Sequence, residues 1–565
     1  MTLRKRTDVL LVLLLQACSS GEVAVGPAAC SGTAGPTVVG AARDTGVVVN
    51  GSAAACLSLE GGAGDYLVSV QVAGSTISYA DYGVDVAPVS ARVSAVAPAP
   101  QGLFAPALSA DPGAVAPRTT ALAFEGGLRR SEAELARRAA GLPQMQLTAP
   151  SLTRAVPALG SVDTFKVVGT LTAPYTFVNA AARLVYRGAR VLAYVDVTAP
   201  ATLSDAEWSA LGAHLENPLY AVDTSAFGQP SDLDGNGRVI VLFTPRINAL
   251  VSQVDCARSG FVTGYFYAFD LASTSIDSNQ GEVFFAYVPD PAGTFSCPHT
   301  AAEVRTQLPA TFVHEFQHMI SYNQHALVRG GLTEEVWLNE GLSHLAEELA
   351  SKVWEARYPA PSGRTSPIQL FPDSSGDFIV PNLSNAYRWL STPGSFSPVR
   401  YAPGSYGGLQ ERGASWLFTR WLVDRLGPTG TRQLLETNKW GTANVEAVAG
   451  RSLPSMLADF SMALWLDSLP GVPRQPIVSA RRFGSRNLRE LFAALVIARP
   501  GLGSGFPIVP LSLSSSRRAT LVPGSVEFFR VTVPSGGLKV AIRRPGGAAT
   551  SADWQLQVGV VWLSP

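Results

Sequence analysis

His314 and His318 stand four residues apart in Thr311-Phe312-Val313-His314-Glu315-Phe316-Gln317-His318. Four of the chain's six histidines (His214, His299, His314, His318, His325 and His344) fall between Thr311 and Glu348. Positions i and i+4 of a helix share a face, so two imidazoles at this spacing can each offer a nitrogen to one divalent ion at about 2.0–2.1 Å. Glu315, beside the first histidine, is turned too far round to ligate with them but can reach water on the ion, where a hydrolase places its general base. A catalytic zinc takes three protein ligands and keeps a fourth position open. Glu340, in Trp337-Leu338-Asn339-Glu340-Gly341, is the candidate for the third.

These side chains need two helices to bring them together. Val304, Leu308, Phe312, Phe316 and Met319 or Ile320 recur at three- and four-residue steps, which predicts one amphipathic helix running through Pro309. Arg329-Gly330-Gly331 supplies a reversal, because glycine accepts the positive φ that ends a helix. From Glu334 onward Val336, Trp337, Glu340, Ser343, His344 and Glu347 again keep helical spacing, so a second helix folds back antiparallel on the first. Glu347, two turns past Glu340 on the same face, is placed to bond the outer nitrogen of a ligand histidine and fix its tautomer; a solvated helix residue is the plainer alternative. His344 and His325 read as structural or pocket-lining.

HEFQH followed by WLNEGLSHLAEE resembles the glutamate-type zincins, and most closely the hyicolysin family of bacterial metallopeptidases. The resemblance implies Zn2+ held by His314, His318 and Glu340, with Glu315 as catalytic base. It implies an endopeptidase whose partner is a protein or peptide substrate. It runs from Asp232 to about Leu469, its specific part being His314 to Glu348. WLNEG with a later glutamate is also similar to the aminopeptidase N family, but no G-x-M-E-N precedes it, so an exopeptidase is the alternative. A non-catalytic surface lipoprotein that keeps zinc for structure is a third reading, against which the intact Glu315 stands. Four residues past Glu340, where the thermolysin-like branch carries an acid, this chain has His344. Zincins often steady the oxyanion with a tyrosine or histidine; Tyr406 is the candidate, with Tyr401 and His325 as rivals.

The N-terminus reads as an export signal. Basic Arg4-Lys5-Arg6 precedes an apolar run from Val9 to Leu15 too short to span a bilayer. Leu15-Gln16-Ala17-Cys18 resembles a lipobox, which implies an exported protein tied to the bacterial cell envelope by a lipid on Cys18, or a secreted one if the signal peptide is of the ordinary kind. The remaining cysteines, Cys30, Cys56, Cys256 and Cys297, suit two local bridges, Cys30 to Cys56 and Cys256 to Cys297, although four cysteines allow three connectivities. With 43 basic and 43 acidic residues the chain has no electrostatic pull toward nucleic acid or an anionic membrane. Its 15% charged and 47% hydrophobic residues, with no long apolar run after the signal, point to soluble cores.

The fold class expected is α+β: a zincin-like catalytic domain with a mixed sheet, active-site helices and a helical lower lobe, flanked by N- and C-terminal β modules. In order, the chain divides into a signal peptide (1–18), a tether (19–37), a small β domain (38–94), a linker and charged helix (95–160), the upper lobe (161–300), the helical part with the zinc site (301–495) and a β-sandwich-like domain (502–565). The charged helix, Leu128 to Leu142, either docks on the catalytic domain or acts as a pro-segment. The aromatic strands Gly260 to Asp270 and Glu282 to Val288 precede the first site helix, and by the resemblance one of them lines the cleft as a sheet edge. The stretch from Glu348 to about Arg400 reads as loop. Asp232, Asp234 and Asn236 in DLDGNG resemble the opening of a Ca2+ loop, but its twelfth position is Phe243 and not a bidentate glutamate. A tight turn feeding a buried strand is the competing account.

Overall fold

The computed structural model describes residues 37–39, 46–76, 78–89, 119–140, 154–271, 276–355, 375–401, 407–470 and 479–564. Its elements give an α+β fold. The signal segment, Cys18 and Cys30 lie outside the described residues. Among the described residues no helix is long and apolar enough to cross a membrane.

The chain begins with β1 (Thr37–Val39), β2 (Val47–Asn50), β3 (Cys56–Leu59), β4 (Gly64–Val72) and β5 (Ala80–Pro88), followed by α1 (Thr119–Ala139). Next come β6 (Val162–Val168), β7 (Phe177–Arg187), β8 (Val191–Asp196), α2 (Asp205–His214), β9 (Val239–Phe243), β10 (Gly264–Phe266) and β11 (Val283–Ala286). Then follow the helices α3 (Ala301–Tyr322), α4 (Val336–Glu355), α5 (Ser375–Leu390), α6 (Leu409–Leu426), α7 (Leu453–Leu466) and α8 (Leu488–Ala498). The chain closes with β12 (Leu511–Ser512), β13 (Ser516–Leu521), β14 (Val526–Val533), β15 (Leu538–Arg543) and β16 (Leu556–Ser564).

The two terminal β segments are not separate modules. Their strands interleave in one sandwich of two five-stranded sheets, ordered β1-β3-β15-β5-β13 and β12-β14-β4-β16-β2. β4 is flanked on both sides by C-terminal strands, Val68 standing opposite Phe529 on β14 and Val560 on β16. Alternating side chains reveal a strand but not its partner, so this pairing across the whole chain length has no local signature. The inner faces meet in a core that includes Leu57, Val68, Val70, Phe529 and Val558.

The middle sheet runs β10-β11-β9-β8-β7-β6. Its central strands β11, β9 and β8 are parallel, and β10 pairs antiparallel with β11 as the outer strand. β8, β9 and β11 are buried along their whole length, which explains their unbroken apolar sequence. α3 starts from a capping box in which the Thr300 side chain accepts from the Glu303 N–H and Glu303 reaches back to the Thr300 N–H. Such a cap is worth about 1 kcal/mol. Pro309 lies inside α3 without ending it.

Two helices differ from the sequence reading. α1 begins at Thr119, earlier than Leu128, because Gly126 and Gly127 disguise its first turns; a Cβ on Gly127 would come within 2.5 Å of the Tyr175 hydroxyl, so glycine allows that ring to approach. α5 occupies part of the stretch expected as loop, its pattern masked by Pro381 and by low-propensity Asn382, Ser384 and Asn385. The Cys256–Cys297 disulfide is formed, with Cα atoms 5.9 Å apart. Cys56 is also disulfide-bonded.

Candidate metal centre

α3 and α4 run antiparallel, as three cross-contacts show: His314 meets Glu347, Gln317 meets Ser343 and His318 meets Asn339. The reversal between them uses a wide turn at Asn323–Leu327 and Gly330 at φ +62°, a conformation that costs a side-chain-bearing residue. Gly331 N–H closes it on the His325 carbonyl at 2.9 Å.

This packing brings His314, His318 and Glu340 together in a buried group, with one donor atom of each within 4.8 Å of the others. His314 Nε2 is 3.2 Å from His318 Nε2 and 3.5 Å from Glu340 Oε2, and His318 Nε2 is 3.8 Å from Glu340 Oε1. Donors about 2.0–2.2 Å from one tetrahedral ion lie roughly 3.3–3.6 Å apart, so these separations of 3.2–3.8 Å are close to what one metal ion needs. The outer nitrogens are engaged: His314 Nδ1 is 2.7 Å from Glu347 Oε1, and His318 Nδ1 is 3.0 Å from Asn339 Oδ1. Carboxylate and amide oxygens only accept, so each Nδ1 carries a proton, and with an ion bound each Nε2 would turn its lone pair toward the common point.

Glu347 is itself held. His344 Nδ1 lies 3.1 Å from its Oε1, and Asn382 of α5 donates to its Oε2 at 2.9 Å. Burial alone would raise this carboxyl, but His344 and His314 outweigh it and bring it to about 2. Glu340 is likewise pushed up by burial, yet Arg412 and the two histidines hold it well below the usual carboxylate range. Arg412, from α6, bridges Glu340 Oε2 at 2.8 Å and Glu125 Oε2 of α1 at 2.9 Å.

Glu315, the next residue of α3, is buried and senses the charge of His314. Its Oε2 accepts the Phe266 N–H of β10 at 3.0 Å and lies 3.7 Å from the Arg129 guanidinium of α1, which also pairs with Glu132 at 2.9 Å. Burial pushes the Glu315 carboxyl up to about 7, against the pull of Arg129 and His314. α1 therefore docks on α3 and β10, with Phe124 edge-on to Tyr265 at 5.3 Å between ring centres.

Of the residues picked out in the sequence, His314, Glu315, His318, Glu340 and Glu347 meet here. Tyr406 lies outside the described residues. Tyr401 is half-buried against the core and senses the charges of Glu340 and Arg412. His325 faces Glu334 at 3.8 Å in a separate buried pair. Asp232 and Asp234 gather with Glu282, away from this group. Arg412, Asn382, Asn339 and Arg129 were not singled out by sequence; only Asn339, next to Glu340, had a local signal.

No family model matches this chain. Over 175 residues it is 30% identical to a protein of Staphylococcus hyicus described as neutral metalloprotease ShpI. That stretch takes in 30% of this chain and 36% of the other, so the chain spans about a third of that relative's length.

Proposed function

We propose that this chain is a zinc-dependent endopeptidase. The observation that carries the reading is the convergence of His314 Nε2, His318 Nε2 and Glu340, with Glu315 next to the first of them on the same helix. The partial similarity to a neutral metalloprotease supports the same reaction class. His314, His318 and Glu340 would hold the ion, which when bound supplies Lewis acidity to the scissile carbonyl and to the attacking water.

The rest of the chemistry belongs to the chain's own groups. Glu315, with Oε2 fixed by the Phe266 N–H, takes a proton from the water and passes it to the leaving amine. Glu347 and Asn339 hold the two imidazoles in the tautomer that leaves Nε2 available. Arg412 balances the charge of Glu340, which would otherwise be a buried carboxylate facing two neutral rings. β10, as the outer strand of the middle sheet, offers main-chain groups to an extended peptide. Export and a lipid on Cys18 complete the proposal and place the site on the envelope side; the mass of the N-terminal peptide from a membrane fraction tests them.

The decisive experiment is zinc content and casein cleavage of the purified protein beside Glu315→Gln. The variant should retain zinc and lose about 10²–10⁴-fold in kcat. Unchanged cleavage would refute the mechanism. Equal cleavage of peptides with blocked and free amino ends identifies an endopeptidase, whereas a strict need for the free end would make it an exopeptidase.

A further inference from the structure

The loop before β9 carries a second group of carboxylates. In Asp232-Leu233-Asp234-Gly235-Asn236-Gly237 the Gly237 N–H donates to Asp232 Oδ1 at 2.9 Å, the Asn236 N–H to Asp234 Oδ1 at 3.1 Å and the Arg238 N–H to Asn236 Oδ1 at 2.7 Å. The Asn236 side-chain amide also donates to Asp234 Oδ2 at 2.6 Å, and these bonds within the loop do not by themselves imply a ligand. The independent observation comes from another strand. Glu282, the residue before β11, is 1% exposed; its Oε1 accepts from Ser231 Oγ at 2.6 Å and the Leu233 N–H at 2.9 Å, while its Oε2 is buried with no hydrogen-bond partner. An unsatisfied carboxylate oxygen in such a place is costly unless something else binds it.

Carboxylate oxygens of Asp232, Asp234 and Glu282 lie within 4.8 Å of one another. That is the largest separation two ligands can have around one ion at about 2.4 Å, inside the 2.3–2.6 Å range of calcium. Asp234 is also 1% exposed, and among the described residues no arginine or lysine forms an ion pair with any of the three. Arg238 donates to the carbonyls of Asn236 at 2.6 Å and Gly188 at 2.9 Å, and the Arg154 guanidinium to the Asn279 carbonyl at 3.3 Å. Arg154 acts on Asp234 through its charge and through its main-chain N–H, which donates to the Asp234 carbonyl.

We infer that Asp232, Asp234 and Glu282, with Asn236 beside them, form a calcium site in which Glu282 supplies from a neighbouring strand the carboxylate that the loop lacks at its own twelfth position. All donors are oxygen, which selects a hard cation over zinc. The site joins the start of β9 to the start of β11, where Val283 pairs with Ile240, and β11 in turn holds β10, whose Phe266 N–H fixes Glu315. Calcium therefore braces the sheet edge next to the metal centre. The inference stands whether or not the protein is a peptidase, because its readout is calcium binding.

The test uses the full-length, zinc-loaded protein freed of calcium, with calcium chloride or magnesium chloride as the only probe. Equilibrium dialysis with radioactive calcium should give one ion per chain, and millimolar calcium should raise the unfolding temperature by a few degrees. Glu282→Gln keeps the oxygen that Ser231 and Leu233 bind and should lose both responses; exposed Asp232→Asn, which leaves the buried pair intact, should weaken them at least tenfold. No bound calcium at millimolar concentration, or an unchanged response in both variants, overturns the site. An equal response to magnesium overturns the choice of ion.

Discussion

Replacing Glu348 by glutamine should destabilise the helical lobe by about 3 kcal/mol at neutral pH and remove one source of its acid sensitivity. Glu348 sits on α4 one residue past Glu347 and points the opposite way, with no exposed surface. Its Oε1 is 2.7 Å from Arg486 Nε and 3.8 Å from Arg420 Nη1, and its Oε2 accepts the Trp416 indole N–H at 3.1 Å. Burial raises its pKa, but Arg486 and Arg420 more than reverse this and take the carboxyl from 4.5 to about 2. At about 1.4 kcal/mol per pH unit, that fall corresponds to about 3 kcal/mol of stability at pH 7. Removing one partner of a buried ion pair costs about 3–5 kcal/mol in other proteins, and the charge that loses Glu348 here is Arg486, 1% exposed. The sign follows from the lowered pKa. The stabilisation is complete above the unfolded value of 4.5 and is lost as pH falls from there toward 2. Urea unfolding followed by tryptophan fluorescence should show wild type and Glu348→Gln about 3 kcal/mol apart at pH 7 and converging toward pH 2. A gap under about 1 kcal/mol at pH 7, or one independent of pH, would refute the argument.

Arg129→Met removes a cation that works against the burial of Glu315, so the Glu315 pKa should rise above about 7. A base must be ionised to act, so the acidic limb of the kcat/KM profile should move to higher pH, and an unmoved limb would count against Arg129 acting on Glu315. Glu347→Ala frees His314 Nδ1 and should weaken zinc binding about 10–100-fold in competition with a chelating dye, the fold remaining intact by circular dichroism. Replacing Cys256 and Cys297 together by serine opens a bridge spanning 41 residues and should cost about 4 kcal/mol in denaturant unfolding, with zinc content unchanged.

The parts of the site visible in the sequence are those that helical periodicity alone can place. His314 and His318 at i and i+4, and Glu340 and Glu347 two turns apart, share faces whatever else the chain does, and the glycines after Arg329 show that the two helices turn back on each other. What supports these residues comes from far away. Asn382 reaches Glu347 across 35 positions from a helix that its own Pro381, Ser384 and Asn385 conceal, and Arg486 reaches Glu348 across 138. Arg412 lies in the helical lower lobe expected in outline, yet the sequence cannot show that one of its cations turns inward to meet Glu340. The sandwich was hidden for the same reason: β4 and β5 read as strands, but their partners are at the other end of the chain.

The glycine after Glu340 shows how distant packing fixes the ligand's position. A Cβ on Gly341 would run into the Thr419 hydroxyl and come within 3.0 Å of the Ser415 carbonyl oxygen, so α4 and α6 approach closely only because that residue has no side chain. From this same close approach Arg412 reaches Glu340, and Trp416, one turn further along α6, reaches Glu348. α4 is thus held by α3 through the imidazoles and by α6 through the arginine and the indole. A carboxylate ligand between two neutral rings needs a fixed position and a compensating charge, and the contact at Gly341 provides for both. The N-E-G sequence therefore joins a chemical requirement at Glu340 to a packing requirement at Gly341, and a residue bulkier than glycine would displace Glu340 from the histidines before it disturbed the fold.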